Sequence, residues 1–124
     1  MIKILVVTFL IIIIILHFYF LILEMFLWTR PKTRKAFGIK DEAFAKETKV
    51  LAANQGLYNG FLAAGLLFFS FIEKHIVALQ FFLICIIVAG IYGAYSTGKI
   101  KLFIIQSLPA IICFILIRIL IRTI

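Results

Sequence analysis

Residues Ile4–Trp28 read ILVVTFLIIIIILHFYFLILEMFLW, and within them Ile11–Leu16 carry no polar atom beyond the backbone. The hydrocarbon core of a bilayer takes about 20 mainly apolar residues per helix, and this stretch is long enough to cross it. Lys3 ahead of an apolar run is also how a secretory signal begins. The run outlasts a signal's apolar region, however, and is followed by Trp28-Thr29-Arg30-Pro31 rather than a small-residue cleavage site. It reads as a retained span.

The rest of the chain agrees. Of its 124 residues, 65% are hydrophobic and 15% charged, with 14 Phe; soluble domains run nearer 45–50% and about 25%. Mean hydropathy is +1.23. A soluble monomer of this size has too little interior to hide so much apolar surface, which excludes an ordinary cytosolic enzyme, a disordered tail and a disulfide-stapled module. Further spans are expected at about 50–71, 76–95 and 101–120. No span alternates polar and apolar residues as a barrel strand does, so the expected fold is all-α, a four-helix integral membrane bundle forming one domain over 1–124.

The turns Glu73-Lys74-His75 and Ser96–Lys99 are tight, which makes helices two, three and four antiparallel neighbours. The one long loop, 29–49, carries Arg30, Lys32, Arg34, Lys35, Lys40, Lys46 and Lys49. With Lys99 and Lys101 it places nine cations on one side, against Lys3, Lys74, Arg118 and Arg122 on the other. The net charge of +8 would direct a soluble chain toward nucleic acid. Here the cations sit between apolar runs, where they write topology. The expectation is a multi-pass protein of the cell membrane with the loop cytoplasmic and both termini outside, no nucleic-acid partner, and anionic lipid contact through loop 29–49. Gly38 breaks the loop, and Asp41 and Glu42 suit a helix N-terminus, where the macrodipole favours acids.

Polar residues within the spans carry what functional signal there is, because ionisable groups in lipid are costly and face the protein interior. His17 and Glu24 lie seven apart, on one face of helix one, with Trp28 a turn further. Counted from Arg30 at 1.5 Å per residue, Glu24 is roughly 9 Å inside the boundary and His17 roughly 20 Å. Helix two superimposes a small-residue ridge, Ala52, Gly56, Gly60 and Ala64, on the polar set Asn54, Gln55, Tyr58 and Asn59. The ridge allows another helix to approach closely. Tyr92 and Tyr95 close helix three on the same side, and Gln106 lies just inside Lys101 on helix four, near a kink expected at Pro109. All four helices thus bring polar groups to one layer of the loop half. Such amides also serve as plain interhelical glue, tyrosines and Trp28 as interfacial anchors, and a membrane histidine as a hydrogen-bonded neighbour.

Other chemistries find no support. Cys85 and Cys113 stand alone in apolar spans, and two histidines far apart in depth make no metal site. There is no phosphate-binding glycine loop and no nucleophile elbow. A proton relay would need more than His17 below Glu24.

The segments Glu24–Thr29, Glu47–Gly60, Gly90–Tyr95 and Gln106–Ala110 resemble the hallmark stretches of a small bacterial membrane family catalogued as domain of unknown function 1304, over essentially the whole chain. That resemblance implies four spans and no particular activity. More distantly, four helices with a long basic loop and a polar start to helix two are similar to the membrane-associated glutathione transferases and eicosanoid enzymes. This likeness implies a homotrimer with sites between subunits near the cytoplasmic face, and glutathione as cofactor. Their second helix carries Arg-Ala-x-x-Asn-x-x-Glu-Asn; here Ala52 and Asn59 match, while Leu51, Gln55 and Tyr58 replace the arginine, the first asparagine and the glutamate. Leu51 removes the group that pairs with a carboxylate of the thiol, which counts against glutathione. Three functions remain open. One is a bundle binding a small amphipathic ligand through Glu24, Asn54, Gln55, Tyr58, Asn59 and Gln106, with His17, Tyr92 and Tyr95 as further candidates. The second is a diverged transferase or isomerase using Tyr58, Tyr92 or Tyr95. The third is an accessory subunit assembling through the Ala52–Ala64 ridge.

Overall fold

Hydrocarbon offers no partner to backbone N–H and C=O groups, so each apolar segment must satisfy its own. The chain does this with helices alone: 87 of its 98 backbone hydrogen bonds lie within them. A computed structural model describes residues 1–124. It consists of α1 (Ile2–Phe26), a short α2 (Pro31–Phe37), α3 (Glu42–Ile72), α4 (Ile76–Thr97) and α5 (Ile100–Thr123). All but α2 are long and apolar enough to cross a membrane. The protein is an all-α membrane helical bundle.

Local chemistry sets the ends. Asp41 caps α3, its carboxylate accepting from the Phe44 N–H at 2.7 Å, and the helix rises about two turns through mainly polar sequence before its apolar part. His75 caps α4 by accepting from the Ala78 N–H at 3.2 Å. Within the loop, Pro31 opens α2, the one helix that composition does not announce, and Gly38 closes it in the left-handed region at φ 67°, where a side chain is strained. Two π-helical turns interrupt the ladder, Phe68–Ile72 at the end of α3 and Phe103–Ser107 in α5. The second has a visible cause. Pro109 has no N–H to offer the Ile105 carbonyl and its ring crowds that group, so the preceding turn widens and the Leu108 N–H reaches back to Phe103.

The helices associate as two antiparallel pairs, α1 with α3 and α4 with α5. The pairs meet along two thinner seams, α1 against α5 and α3 against α4. The small-residue ridge is consumed inside the chain. Ala52, Gly56 and Gly60 are buried, while Ala64 is exposed. A Cβ at Gly56 would press on Met25, Glu24 and the Leu21 carbonyl, and one at Gly60 on Leu21, so these glycines let α1 lie directly on α3. The core fills the half of the bundle remote from the loop, with Val6, Leu10, Ile13, Leu66, Leu83, Ile86, Cys113 and Ile117 among its members. Ile4, Ile11, Ile15, Val77, Phe81, Val88 and Ile115 point outward, an apolar surface suited to acyl chains.

Candidate functional site

Each inward stripe changes character along its helix. On α1 it runs Val6, Leu10, Ile13, His17, Glu24; on α3, from the far end, Leu66, Ala63, Asn59, Gly56, Ala52; on α4, Leu79, Leu83, Ile86, Gly90. These spacings of three, four and seven keep one face inward. Large aliphatic side chains fill the far half, whereas small or polar ones line the loop half and leave space between the helix pairs. The result is a cavity of about 580 Å³ toward the α3–α4 seam, within the range of ordinary ligand sites.

Glu24 and Asn59 form its polar wall. Both are nearly buried, at 5% and 6% exposure, and the Asn59 Nδ2 donates to Glu24 Oε1 at 3.0 Å. No lysine or arginine pairs with Glu24: the one side-chain ion pair is Glu42–Lys46, exposed, at 3.4 Å. Helix dimensions counted from Lys49 put Glu24 level with Asn54 and Gln55, yet it meets Asn59, a turn deeper. Long cationic side chains reach to the interface from either side of it and mark the boundary only to within about a turn. Gln55 and Tyr58 from α3 and Gln106 from the widened turn of α5 complete the polar lining, and Leu51, Leu62, Ala89 and Leu102 supply apolar surface.

At the loop end stands a cover. Trp28 packs edge-on against Phe37 with ring centroids 5.1 Å apart, and its indole N–H donates to Thr48 Oγ1 at 3.0 Å. Thr48 in turn donates to the Phe44 carbonyl at 2.7 Å. Phe37 is held from the other side, because Lys99 Nζ donates to its carbonyl at 3.0 Å, a cation satisfying the end of a helix. Below, Ser107 Oγ donates to the Ile87 carbonyl at 2.7 Å and ties α5 to α4. A Cβ at Gly90 would collide there with Ser107.

Of the residues singled out from sequence, the structure brings Glu24, Gln55, Tyr58, Asn59 and Gln106 to one cavity. Asn54, Tyr92 and Tyr95 lie on the outer surface, the tyrosines 68% and 85% exposed. His17, 1% exposed, lines neither this cavity nor a second one described below. Its Nδ1 meets the Ile13 carbonyl at 2.8 Å, so the proton sits on that nitrogen, and its ring stands edge-on to Phe20. Of the three tyrosines considered for a transferase, Tyr58 alone borders the cavity, at its rim and itself 61% exposed. Sequence reasoning did not select Thr48, Phe37 or Gly93. Phe37 had no visible signal without α2. Gly93 had one, the continuation of the Leu79-Leu83-Ile86-Gly90 stripe.

Fold and cavity together define a class: a multi-pass helical membrane bundle with a cavity of mixed polar and apolar lining in the half nearer its basic loop. The family model described as "Protein of unknown function (DUF1304)" matches residues 11–118, and the chain belongs to that family. It is similar to the "Uncharacterized protein YpaA" of Lactococcus lactis subsp. lactis (strain IL1403), with 35% identity over 102 residues covering 79% of this chain and 83% of that one. No solved structure matches it.

Proposed function

We propose that the protein binds a small amphipathic ligand from the leaflet on the loop side, with its polar end against Glu24. One observation carries this reading. Glu24, Thr48, Gln55, Tyr58, Asn59 and Gln106 line a single chamber; apart from Thr48, which bonds to Trp28 and to the Phe44 carbonyl, their side chains make one hydrogen bond, Asn59–Glu24. If they were only glue between helices, Gln55, Gln106 and Tyr58 would be paired with neighbouring helices. Gln55 and Tyr58 stand exposed at the cavity's rim and Gln106 is half-buried within it; an amide left unpaired in hydrocarbon costs several kcal/mol, about what a ligand with matching donors and acceptors returns. Glu24, bonded through one oxygen, offers the other to a ligand hydroxyl, amide or ammonium. Gln55, Tyr58, Asn59 and Gln106 orient that group, and the apolar lining takes the remainder.

The charge distribution supports a cytoplasmic loop, which makes the cytoplasmic leaflet the source of the ligand. Exposed Asn54 supports self-association, a trimer being the form expected, since an amide facing lipid is better satisfied by a second copy.

Native mass spectrometry of protein gently extracted from its own membrane tests the reading. A retained small molecule, depleted in Glu24→Gln, is the expected result. Reproducibly bare protein, or Glu24→Gln retaining everything that wild type retains, would leave the amides as glue.

A further inference from the structure

The other seam, between α1 and α5, holds a second cavity of about 320 Å³ on the opposite side of Phe37 and Leu102, which line both. Its chemistry is the inverse of the first. Leu16, Phe20 and Leu23 of α1 and Ile105 of α5 form an apolar floor, and Lys99 and Lys101 stand at the loop end. Leu16 to Leu23 spans roughly 10 Å of helix axis, so the floor runs along the bilayer normal as an acyl chain does. None of the five acidic residues lines it. Lys99 is held in place by its bond to the Phe37 carbonyl. An ammonium has three donors, so two remain for a second partner. The Lys101 side chain makes no hydrogen bond or ion pair within the chain, and both lysines are exposed at the loop end of α5, where a span that begins at Ile100 meets the interface.

We propose that this groove is a binding site for one anionic phospholipid of the loop-side leaflet, its phosphate between Lys99 and Lys101 and one acyl chain on Leu16, Phe20, Leu23 and Ile105. Charge complementarity selects the occupant. A zwitterionic lipid brings a cation to a cluster already positive, and the chamber built around Glu24 has no lysine or arginine in its lining to receive a phosphate. The assignment is independent of what that chamber binds. It differs from diffuse attraction to the basic loop in needing these two lysines and this groove.

The test is native mass spectrometry of the full-length protein in detergent, titrated with phosphatidylglycerol, with phosphatidylcholine of the same chains, or with oleate. Each surface lysine contributes about a fivefold preference for anionic lipid, so the pair should favour phosphatidylglycerol by roughly thirtyfold for the first lipid bound. Lys101→Gln, which leaves the Lys99–Phe37 bond intact, should lower the preference about fivefold. Ile105→Trp should weaken both phospholipids by filling the groove, and a Lys32→Gln/Lys35→Gln control on α2 should change neither. Three results would overturn the proposal. They are equal retention of the two phospholipids, an equal loss in the α2 control, and oleate displacing phosphatidylglycerol at equimolar concentration, which would make the groove a fatty-acid site.

Discussion

The two halves of this bundle are built by the same four helices and packed differently. Remote from the loop, the inward positions are Leu10, Ile13, Leu66, Leu83, Ile86 and Ile117, most of them fully buried. Nearer the loop, the same stripes present Glu24, Asn59, Gly56, Gly90 and Ala52. In lipid no hydrophobic force separates the two designs, because the acyl chains outside are as apolar as a leucine core. What holds the far half is dispersion at close packing. The loop half gives up that packing along the seams and keeps it between α1 and α3, where Gly56 and Gly60 bring the backbones together. A membrane bundle can therefore be rigid and chambered at once, provided each pair is cemented and only the seams open.

Replacing Leu83, fully buried in the far half, by Ala is expected to have the largest effect. Soluble cores lose about 2–5 kcal/mol for such a change. Here the transfer part largely cancels against lipid, leaving about 2 kcal/mol of lost contact and cavity, measurable as a shift in reversible unfolding in mixed micelles. The opposite substitution in the other half sharpens the contrast. Gly93→Leu adds bulk where the nearest atom to a new Cβ is Leu102 Cδ1 at 3.6 Å, ordinary contact. It should fill the chamber and abolish retained ligand while moving stability by less than about 1 kcal/mol. Equal destabilisation by the two changes would mean that the halves do not differ in packing.

Glu24→Gln comes next and separates site from scaffold. The glutamine oxygen can still accept from Asn59, so unfolding should be almost unchanged. A ligand that pairs with the acid loses the difference between a charged and a neutral hydrogen bond, about tenfold in affinity. Asn59→Ala removes the other partner and tests the reverse. It should cost stability by about 1 kcal/mol, the low end for a buried group left without its bond, because the carboxyl borders the cavity and can meet another partner there. A ligand effect from it is therefore interpretable only beside Glu24→Gln.

Much of the far half could be read directly. Isoleucine runs and spacing announce spans, and Asp41 and Gly38 announce where α3 begins and the loop breaks. The loop half was legible in its ingredients but less so in its assembly. Glu24, Gln55, Tyr58, Asn59 and Gln106 stand out because polar residues in spans are conspicuous, yet depth alone could not separate Asn54, Tyr92 and Tyr95, which share the layer and face outward. Orientation about the helix axis decides, and the stripes carry it: Leu79-Leu83-Ile86-Gly90 points inward and puts Tyr92 and Tyr95 on the other face. The ridge was visible, but its partner was not, since a Gly-xxx-Gly surface accepts any close helix. Helix α2 was hidden because seven residues of basic sequence have no apolar period of their own. The fate of Phe37, and the division of the interior into two cavities, one walled by Glu24 and the other edged by Lys99 and Lys101, was hidden with it.

The smallest expected effect probes the cover between loop and chamber. Thr48→Val keeps the shape of the side chain and removes the hydroxyl that accepts from the Trp28 indole. One neutral, partly buried hydrogen bond is worth about 0.5–1.5 kcal/mol, and the indole can recover part of that from interfacial water. Global unfolding should therefore shift by less than about 1 kcal/mol. Trp28 is the single tryptophan of the chain, so its fluorescence reports this spot without background: emission should move to the red in Thr48→Val and stay unchanged in Leu83→Ala. Ligand bound beneath the cover should shift the wild-type emission, and Glu24→Gln should require about ten times more ligand to do so. A red shift in Leu83→Ala equal to that in Thr48→Val would show that packing in the far half sets the cover, and that the two halves are one mechanical unit.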